Sequence, residues 1–341
     1  MPVLSPLEKG LHWVGRTLCS VPPGLQTALT GGPVVIDGQT LEPELTLLLR
    51  ATERIERQRP TAPELLRIQQ NRSARAAGGP PDALVTRDLV FGSLRARHYP
   101  AEEGAPLLVF FHGGGFVFGD LDSHDAPCRI LARHGEMHVL AIDYRLAPEN
   151  AYPAAVEDGI AALRWAQENA RKLGADPARV GVGGDSAGGN LSAVVSQITR
   201  DDRPPAAQLL VYPATSRRRP WRSLELFGTG FFLTHETIDW FFRQYTGPDH
   251  ERPETPDPRI DPLENPDLSR LPPALVVTAG FDPLRDEGEA YAEALRNAGN
   301  RAVTRRFPSL LHGFINMAGM SRTCHDATVE IAGRARMLFA S

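Results

Sequence analysis

The chain has 341 residues, 42% hydrophobic and 23% charged, with a formal net charge of −4; it is long enough for one large α/β domain or two smaller ones, each with a substantial core. That mildly acidic balance gives no electrostatic reason to expect a nucleic-acid partner. The start, Met1 to Lys9, has no basic segment leading into an apolar one, no apolar run reaches membrane-spanning length, and Cys19, Cys128 and Cys324 fall in no metal-ligand spacing, so a reduced, cytoplasmic protein without stable membrane insertion is expected.

Residues 1–80 read as helices and loops. Leu4, Leu7, Leu11, Val14 and Leu18 follow a helical stripe, and two further helices are expected over 41–55 and 62–75. The stripe is expected to dock on its own protein rather than on a membrane. From about residue 86 strands alternate with helices, the strands falling at 89–99, 107–112, 138–145, 180–183, 209–213, 274–280 and 302–308. Leu107–Phe111 and Ala274–Val277 are continuous apolar runs, as suits strands buried on both faces of a mostly parallel sheet. Between them, Val156, Ile160, Leu163, Ala166, Ala170 and Leu173 keep helical spacing up to Gly174, and a second helix stops before Gly299.

This alternation predicts an α/β fold, a parallel sheet with helices on both faces and sites at the carboxyl ends of the strands. Residues 214–256 interrupt it with an aromatic helix, Glu236 to Tyr245, whose Trp240, Phe241 and Phe242 suit either a core-facing side or a ligand wall. The domain reading is a helical cap over 1–80, a catalytic core over 81–213 and 257–341, and a cap insertion over 214–256. The basic run Arg217 to Arg222 reads as a solvated loop, and the proline-rich stretch 248–266 as an ordered connection.

Two motifs carry chemistry. Gly184-Asp-Ser186-Ala-Gly188 follows a strand and opens an apolar helix, a turn that lifts a strained serine above the sheet edge beside a helix N-terminus. His112-Gly113-Gly114-Gly115-Phe116 follows the strand 107–112, and three glycines let the backbone aim N–H groups at one developing oxyanion. It matches neither a Walker loop nor a dinucleotide loop. A nucleophilic serine needs a base. Of ten histidines, His312 is best placed, in the loop after the last strand; His112 and His124 lie near the glycine loop, and His12, His98, His134, His138, His235, His250 and His325 read as surface residues. Asp282, just past the strand 274–280, suits either a helix N-cap or the carboxylate that orients the base. Asp143 precedes the serine and Asp286 lies a turn into the helix, whereas the order Ser186, Asp282, His312 is the one hydrolases of this fold follow.

Together these residues resemble the bacterial hormone-sensitive-lipase family of α/β-hydrolase carboxylesterases. The match runs through His112 to Asp120, Asp143-Tyr-Arg-Leu-Ala-Pro-Glu149, Gly184 to Gly189, Asp282 to Gly288 and His312-Gly-Phe314. The resemblance implies an α/β-hydrolase fold with a helical cap and a carboxylic ester hydrolase that needs no cofactor and no metal. It implies Ser186 as nucleophile, His312 as base and Asp282 as acid, with an oxyanion hole of Gly113, Gly114, Gly115 and Ala187, Gly113 shaping the loop. The implied substrate is a small-molecule ester of short or medium acyl chain, in a pocket whose depth depends on Phe116, Phe118, Phe231, Phe232 and the cap helices. Fold analogy also admits a homodimer through the sheet edge or the last helix. Amide, lactone or carbamate hydrolysis would use the same site, and a non-catalytic binding scaffold would leave Ser186 unlabelled by a fluorophosphonate. Two features depart from the pattern: a longer N-terminal region, and Ser216 to Arg222 where an acidic residue is more usual.

Overall fold

A computed structural model describes residues 4–56, 62–247 and 255–340. In chain order the elements are α1 (Pro6–Cys19), α2 (Pro23–Leu29), the short hairpin β1 (Val35–Ile36) and β2 (Gln39–Thr40), α3 (Pro43–Glu56), α4 (Pro63–Gly78), β3 (Arg87–Phe91), β4 (Leu94–Tyr99), β5 (Ala105–Phe111), α5 (Asp125–Gly135) and β6 (His138–Asp143). They continue with α6 (Ala154–Asn169), β7 (Ala175–Asp185), α7 (Ala187–Ile198), β8 (Gln208–Val211), α8 (Arg222–Phe227), α9 (His235–Thr246), β9 (Ala274–Phe281), α10 (Arg285–Asn297), β10 (Ala302–Leu311) and α11 (Arg322–Phe339). The run expected as one strand over 89–99 is two antiparallel strands that turn at Gly92, and β7 begins at Ala175 rather than Val180. Of the stretch 248–266, residues 248–254, His250 among them, lie outside the described residues.

The large sheet has the order β10-β9-β8-β7-β5-β6-β4-β3, parallel from β10 to β6 and antiparallel at the β6-β4-β3 edge. Side chains alternate across it as the pleat requires. Leu108, Phe110, Leu209, Val211, Leu275 and Val277 join a core cluster with α5 and α11, while Leu107, Val109, Phe111, Leu210 and Val276 face α6, α7 and α10. Both faces are buried, which is why these strands read as unbroken apolar runs. From β5 the chain builds outward through β6 and then returns to lay β7 on the other flank of β5. Their carboxyl ends therefore splay apart at a topological switch point, where open α/β sheets bind ligands.

The N-terminal region is tied to the core both by apolar burial, with Leu41, Leu45 and Leu48 joining the main cluster, and by polar contacts. Ser5 and Glu8 close a capping box at α1, and the buried Glu8 carboxylate pairs with Arg75 of α4 at 2.7 Å. Arg67 of α4 binds Glu149 in bidentate fashion and also donates to the Val117 and Ala147 carbonyls. Asn71 accepts the Gly119 N–H at 2.8 Å and donates to Asp120. The α1 stripe docks only in part: Leu4 is buried and Leu18 packs on the core, whereas Leu7, Leu11 and Val14 stay exposed. His98 and His138, expected at the surface, are buried side by side, with His98 Nε2 3.1 Å from His138 Nδ1. Arg217 to Arg222 is solvated in part: Arg219 and Arg222 are exposed, paired with Glu264 and Asp37, while Arg217 and Arg218 are half-buried near Asp261.

Phe110 fills the centre of the sheet and has no exposed surface. Phe110→Ala is expected to lower unfolding free energy by about 3–5 kcal/mol, read from the midpoint of urea denaturation. A loss below about 1 kcal/mol would contradict a close-packed centre.

Candidate active site

Ser186 sits at the junction of β7 and α7 with φ 54° and ψ −115°, a backbone conformation that a residue other than glycine holds only under strain. The turn is tight because β7 presses on β5. A Cβ on either Gly184 or Gly188 would collide with the Phe111 carbonyl oxygen, so both flanking positions of the motif have to be glycine. The strained turn is braced by the Ser186 N–H donating to Val211 O at 2.9 Å and by Asn190 N–H donating to Ser186 O at 3.0 Å.

Strand register brings the other two groups to this serine. Leu311, the last residue of β10, pairs with Phe281, the last of β9, so the next residues, His312 and Asp282, emerge side by side. His312 Nδ1 lies 2.8 Å from Asp282 Oδ2, and His312 Nε2 lies 3.0 Å from Ser186 Oγ. Asp282 is fully buried, and its second oxygen accepts the Leu284 N–H at 2.8 Å. Asp282 is therefore not the N-cap of α10, which is Leu284; one of its oxygens holds the Leu284 N–H and the other the imidazole. Asp143 instead lies near Arg95, and Asp286 accepts from Ser223 N–H and Arg285.

The glycine loop borders the same cavity as Ser186 and is tied to the serine turn through Asp185. Gly114 and Gly115 have φ of 115° and 61°, and a Cβ on Gly115 would run into the Phe241 ring. Among the described residues the N–H groups of Gly114, Gly115 and Ala187 donate to no protein acceptor. Gly113 differs: its N–H is spent on Asp185 Oδ1 at 2.8 Å, which suits it to shaping the loop rather than to donating. Asp185 is buried beneath the loop, with His124 Nε2 at 3.4 Å and Tyr212 OH and Asn316 Nδ2 at its other oxygen. Burial alone would raise its pKa, but His124 and the Gly113 N–H hold it below the ordinary value. The loop is fixed further by Tyr144 OH donating to His112 O, and by His112 Nδ1 lying 2.8 Å from Gly113 O.

Above these groups opens a cavity of about 490 Å³, within the range of small-ligand sites. Phe116, Phe118 and Phe232 line it; Phe231 does not, because it packs on Phe227 and Phe281 in the core. Phe241, Phe242 and Tyr245 of α9 form one wall, Tyr245 stacked on Phe116 with centroids 3.8 Å apart, while Trp240 packs toward the core. Leu11, Val14 and Leu18 of α1 form another. Among the described residues no group of three or more His, Cys, Asp or Glu could hold a metal, and no helix is long and apolar enough to cross a membrane.

Residues 108–316 match the family described as the alpha/beta hydrolase fold. The chain belongs to the hormone-sensitive-lipase-like family of α/β-hydrolases. It is 48% identical to carboxylic ester hydrolase LipN of Mycobacterium tuberculosis, over 92% of this chain and 87% of that protein. With the ethyl acetate hydrolase of Pseudomonas putida it shares 39% identity over 68% of this chain and 73% of the relative. The solved structure of an ester hydrolase from the metagenome of Lake Arreo, in complex with a bipyridine phosphonate derivative, superposes with a TM-score of 0.83. That match has 38% identity and covers 88% of this chain and 100% of the other.

Sequence reasoning missed the carboxylate beneath the loop and the share of α1 in the cavity. Asp185 stood inside the serine motif and read as a spacer, because only the fold reveals the Gly113 N–H facing it. The α1 stripe was visible, but periodicity cannot say that it borders a cavity rather than a core.

Two buried histidines of this α/β-hydrolase give its stability a pH dependence. Burial lowers the pKa of both His98 and His112 to about 4. As pH falls below about 6.5 the unfolded chain takes up these protons first, so stability falls between about pH 6.5 and 4 and the effect levels off below, by roughly 3 kcal/mol at most per group. Urea titrations across that window should show the decline, with a shallower slope in His98→Leu. An unchanged slope in that variant would rule out His98 as a source.

Proposed function

We propose that this carboxylic ester hydrolase cleaves short- to medium-chain acyl esters through an acyl-enzyme on Ser186. The observation that carries the reading is the continuous polar line from Asp282 through His312 to Ser186, 2.8 and 3.0 Å per step, beside which the N–H groups of Gly114, Gly115 and Ala187 donate to no protein acceptor among the described residues. Asp282 accepts the Nδ1 proton of His312 and leaves Nε2 as the base. His312 takes the hydroxyl proton as Ser186 Oγ attacks the ester carbonyl, and the three N–H groups receive the oxygen as it becomes anionic. The tetrahedral intermediate collapses when the imidazolium returns its proton to the departing alkoxide. Water, deprotonated by the same imidazole, then attacks the acyl-enzyme and releases the carboxylic acid and Ser186.

Gly113 serves here as a strut for the donor loop, through Asp185, rather than as a donor. We read residues 1–80 and 214–256 as the cap and 81–213 with 257–341 as the catalytic core. The aromatic cavity, its size and the relative named ethyl acetate hydrolase support short and medium acyl groups.

Ser186→Ala is expected to abolish hydrolysis of p-nitrophenyl butyrate; turnover near wild type would sink the assignment. Asp185→Ala strips the loop of its anchor and is expected to lower kcat by about 10²-fold, comparable with losing one oxyanion donor. A kcat within about twofold of wild type would show that the loop holds its shape without Asp185.

A further inference from the structure

The walls of the cavity above Ser186 differ in character. Those from α1 and α9 are mostly apolar or aromatic, with Leu11, Val14 and Leu18 on one and Phe241, Phe242 and Tyr245 on the other. The wall from α4 instead carries Gln69, Gln70 and Ser73. Ser73 follows Gln69 by four positions and Gln70 by three, so the three share one helix face as a contiguous patch. Among the described residues none of these three side chains has a hydrogen-bond partner. Polar side chains elsewhere on the cavity wall are engaged: Thr52 and Asn190 donate to backbone carbonyls, Thr237 bonds Thr234, Thr215 donates to the Glu287 carbonyl and Ser216 to the Glu264 carboxylate. Gln69 and Gln70 are half-buried and Ser73 is exposed, which sets the patch between the interior of the cavity and its mouth.

Hydrogen bonds fix where α4 stands. Asn71 Oδ1, next to Gln70, accepts the Gly119 N–H at 2.8 Å, and one turn earlier Arg67 Nε donates to Val117 O at 2.7 Å. Gly119 itself touches the glycine loop, since a Cβ there would come within 2.6 Å of the Gly113 carbonyl oxygen. The same helix packs on the short helical turn Phe314–Met317 that follows His312. The amide and hydroxyl groups are therefore carried on a helix seated against both the donor loop and the segment behind the base, and they border the cavity that Gly114, Gly115, Ser186 and His312 line. Their chemistry narrows the ligand. Gln and Ser are uncharged, and each can both donate and accept, as an alcohol hydroxyl can. A charged group would find no countercharge on this patch. An alkyl group laid over it would take the amides and hydroxyl out of water without replacing their hydrogen bonds.

We propose that Gln69, Gln70 and Ser73 form a polar subsite for the hydroxyl-bearing alcohol part of an ester, so that the enzyme favours acyl esters of small polyols such as glycerol or a monosaccharide. This role rests on Ser186 being the nucleophile. The apolar walls suit the acyl chain, and the α4 wall suits a hydrated alcohol. A site with hydrogen-bonding groups already in place discriminates against the analogue that lacks the hydroxyls.

The test pairs glycerol 1-butyrate with n-propyl butyrate, and 6-O-butyryl glucose with tetrahydropyran-2-ylmethyl butyrate. Each pair shares its acyl chain and alcohol frame and differs in hydroxyls alone. Every kcat/KM is divided by the rate of the same ester with hydroxide, which removes differences in leaving-group reactivity. The full-length enzyme is expected to give at least one polyol ester a corrected value about tenfold above its partner, the equivalent of roughly 1.4 kcal/mol. Ser73→Ala and Gln70→Leu are each expected to lower that ratio about threefold, in keeping with one hydrogen bond, and replacing Gln69 by Leu as well is expected to bring the triple variant to about one. Both members of a pair are read on one preparation, so a loss of active enzyme cancels from the ratio. Ser73→Ala also places a better helix former at an exposed position, so that variant is expected to fold. A corrected wild-type ratio near one in both pairs overturns the proposal, as does a ratio that the single variants leave unchanged. Persistent p-nitrophenyl butyrate hydrolysis by Ser186→Ala would instead overturn the nucleophile assignment, while an inactive Ser186→Ala beside a wild-type ratio near one would remove only the polyol subsite.

Discussion

The close approach of β7 to β5 governs the geometry of the site. Gly184 and Gly188 lie against the Phe111 carbonyl with no room for a side chain, so the serine turn and the loop leaving β5 cannot move independently. The Asp185 carboxylate reinforces this by reaching from the serine turn to the Gly113 N–H. The serine turn and the glycine loop are in effect one rigid body. The imidazole and its carboxylate form a second, set by the pairing of Leu311 with Phe281, and β8, which pairs with both β7 and β9, joins the two. Such preorganisation matters because dipoles already in position need no rearrangement when charge develops.

What could be read from the sequence follows from where each signal is local. Apolar runs such as Leu107–Phe111 announce a strand buried on both faces, and the glycines of the two motifs announce tight turns; neither depends on distant residues. The order Ser186, Asp282, His312 was legible because each residue follows its own strand. Phe231 was misjudged because adjacent aromatics look equivalent in a loop, yet Phe232 reaches the cavity and Phe231 turns into the core beside Phe281. His98 and His138 were misjudged for a similar reason: two histidines forty positions apart satisfy one another only once β4 lies beside β6. The fates of the arginines after β8 were equally hidden, since a run of like charges looks solvated until its scattered carboxylates converge on it.

Ionisable groups here divide by depth rather than by sign. Arg67 and Arg222 hold the N-terminal region through Glu149 and Asp37 near the surface, where each pair is worth little alone, while Arg75 reaches the buried Glu8. Beneath the site, by contrast, Asp185 keeps its charge within a nest of N–H, imidazole and hydroxyl partners, while Glu287 is buried with a strong bias toward the neutral acid. A carboxylic side chain thus serves as an anionic strut in one place and as a hydrogen-bonding block biased toward the neutral acid in the other.

The share of α1 in the cavity has a consequence for how the protein is made. Its Gly15 lies against the Met320 side chain, and Glu44 of α3 receives the hydroxyl of Ser321. Segments that leave the ribosome early therefore find their seats on residues translated nearly last. A nascent chain can pair β5 with β7 and form its serine turn well before His312 emerges, but that wall of the pocket must wait. During synthesis α1 can meet α3 and α4 early, but its seat beside Met320 is complete only once residues 312–321 have appeared.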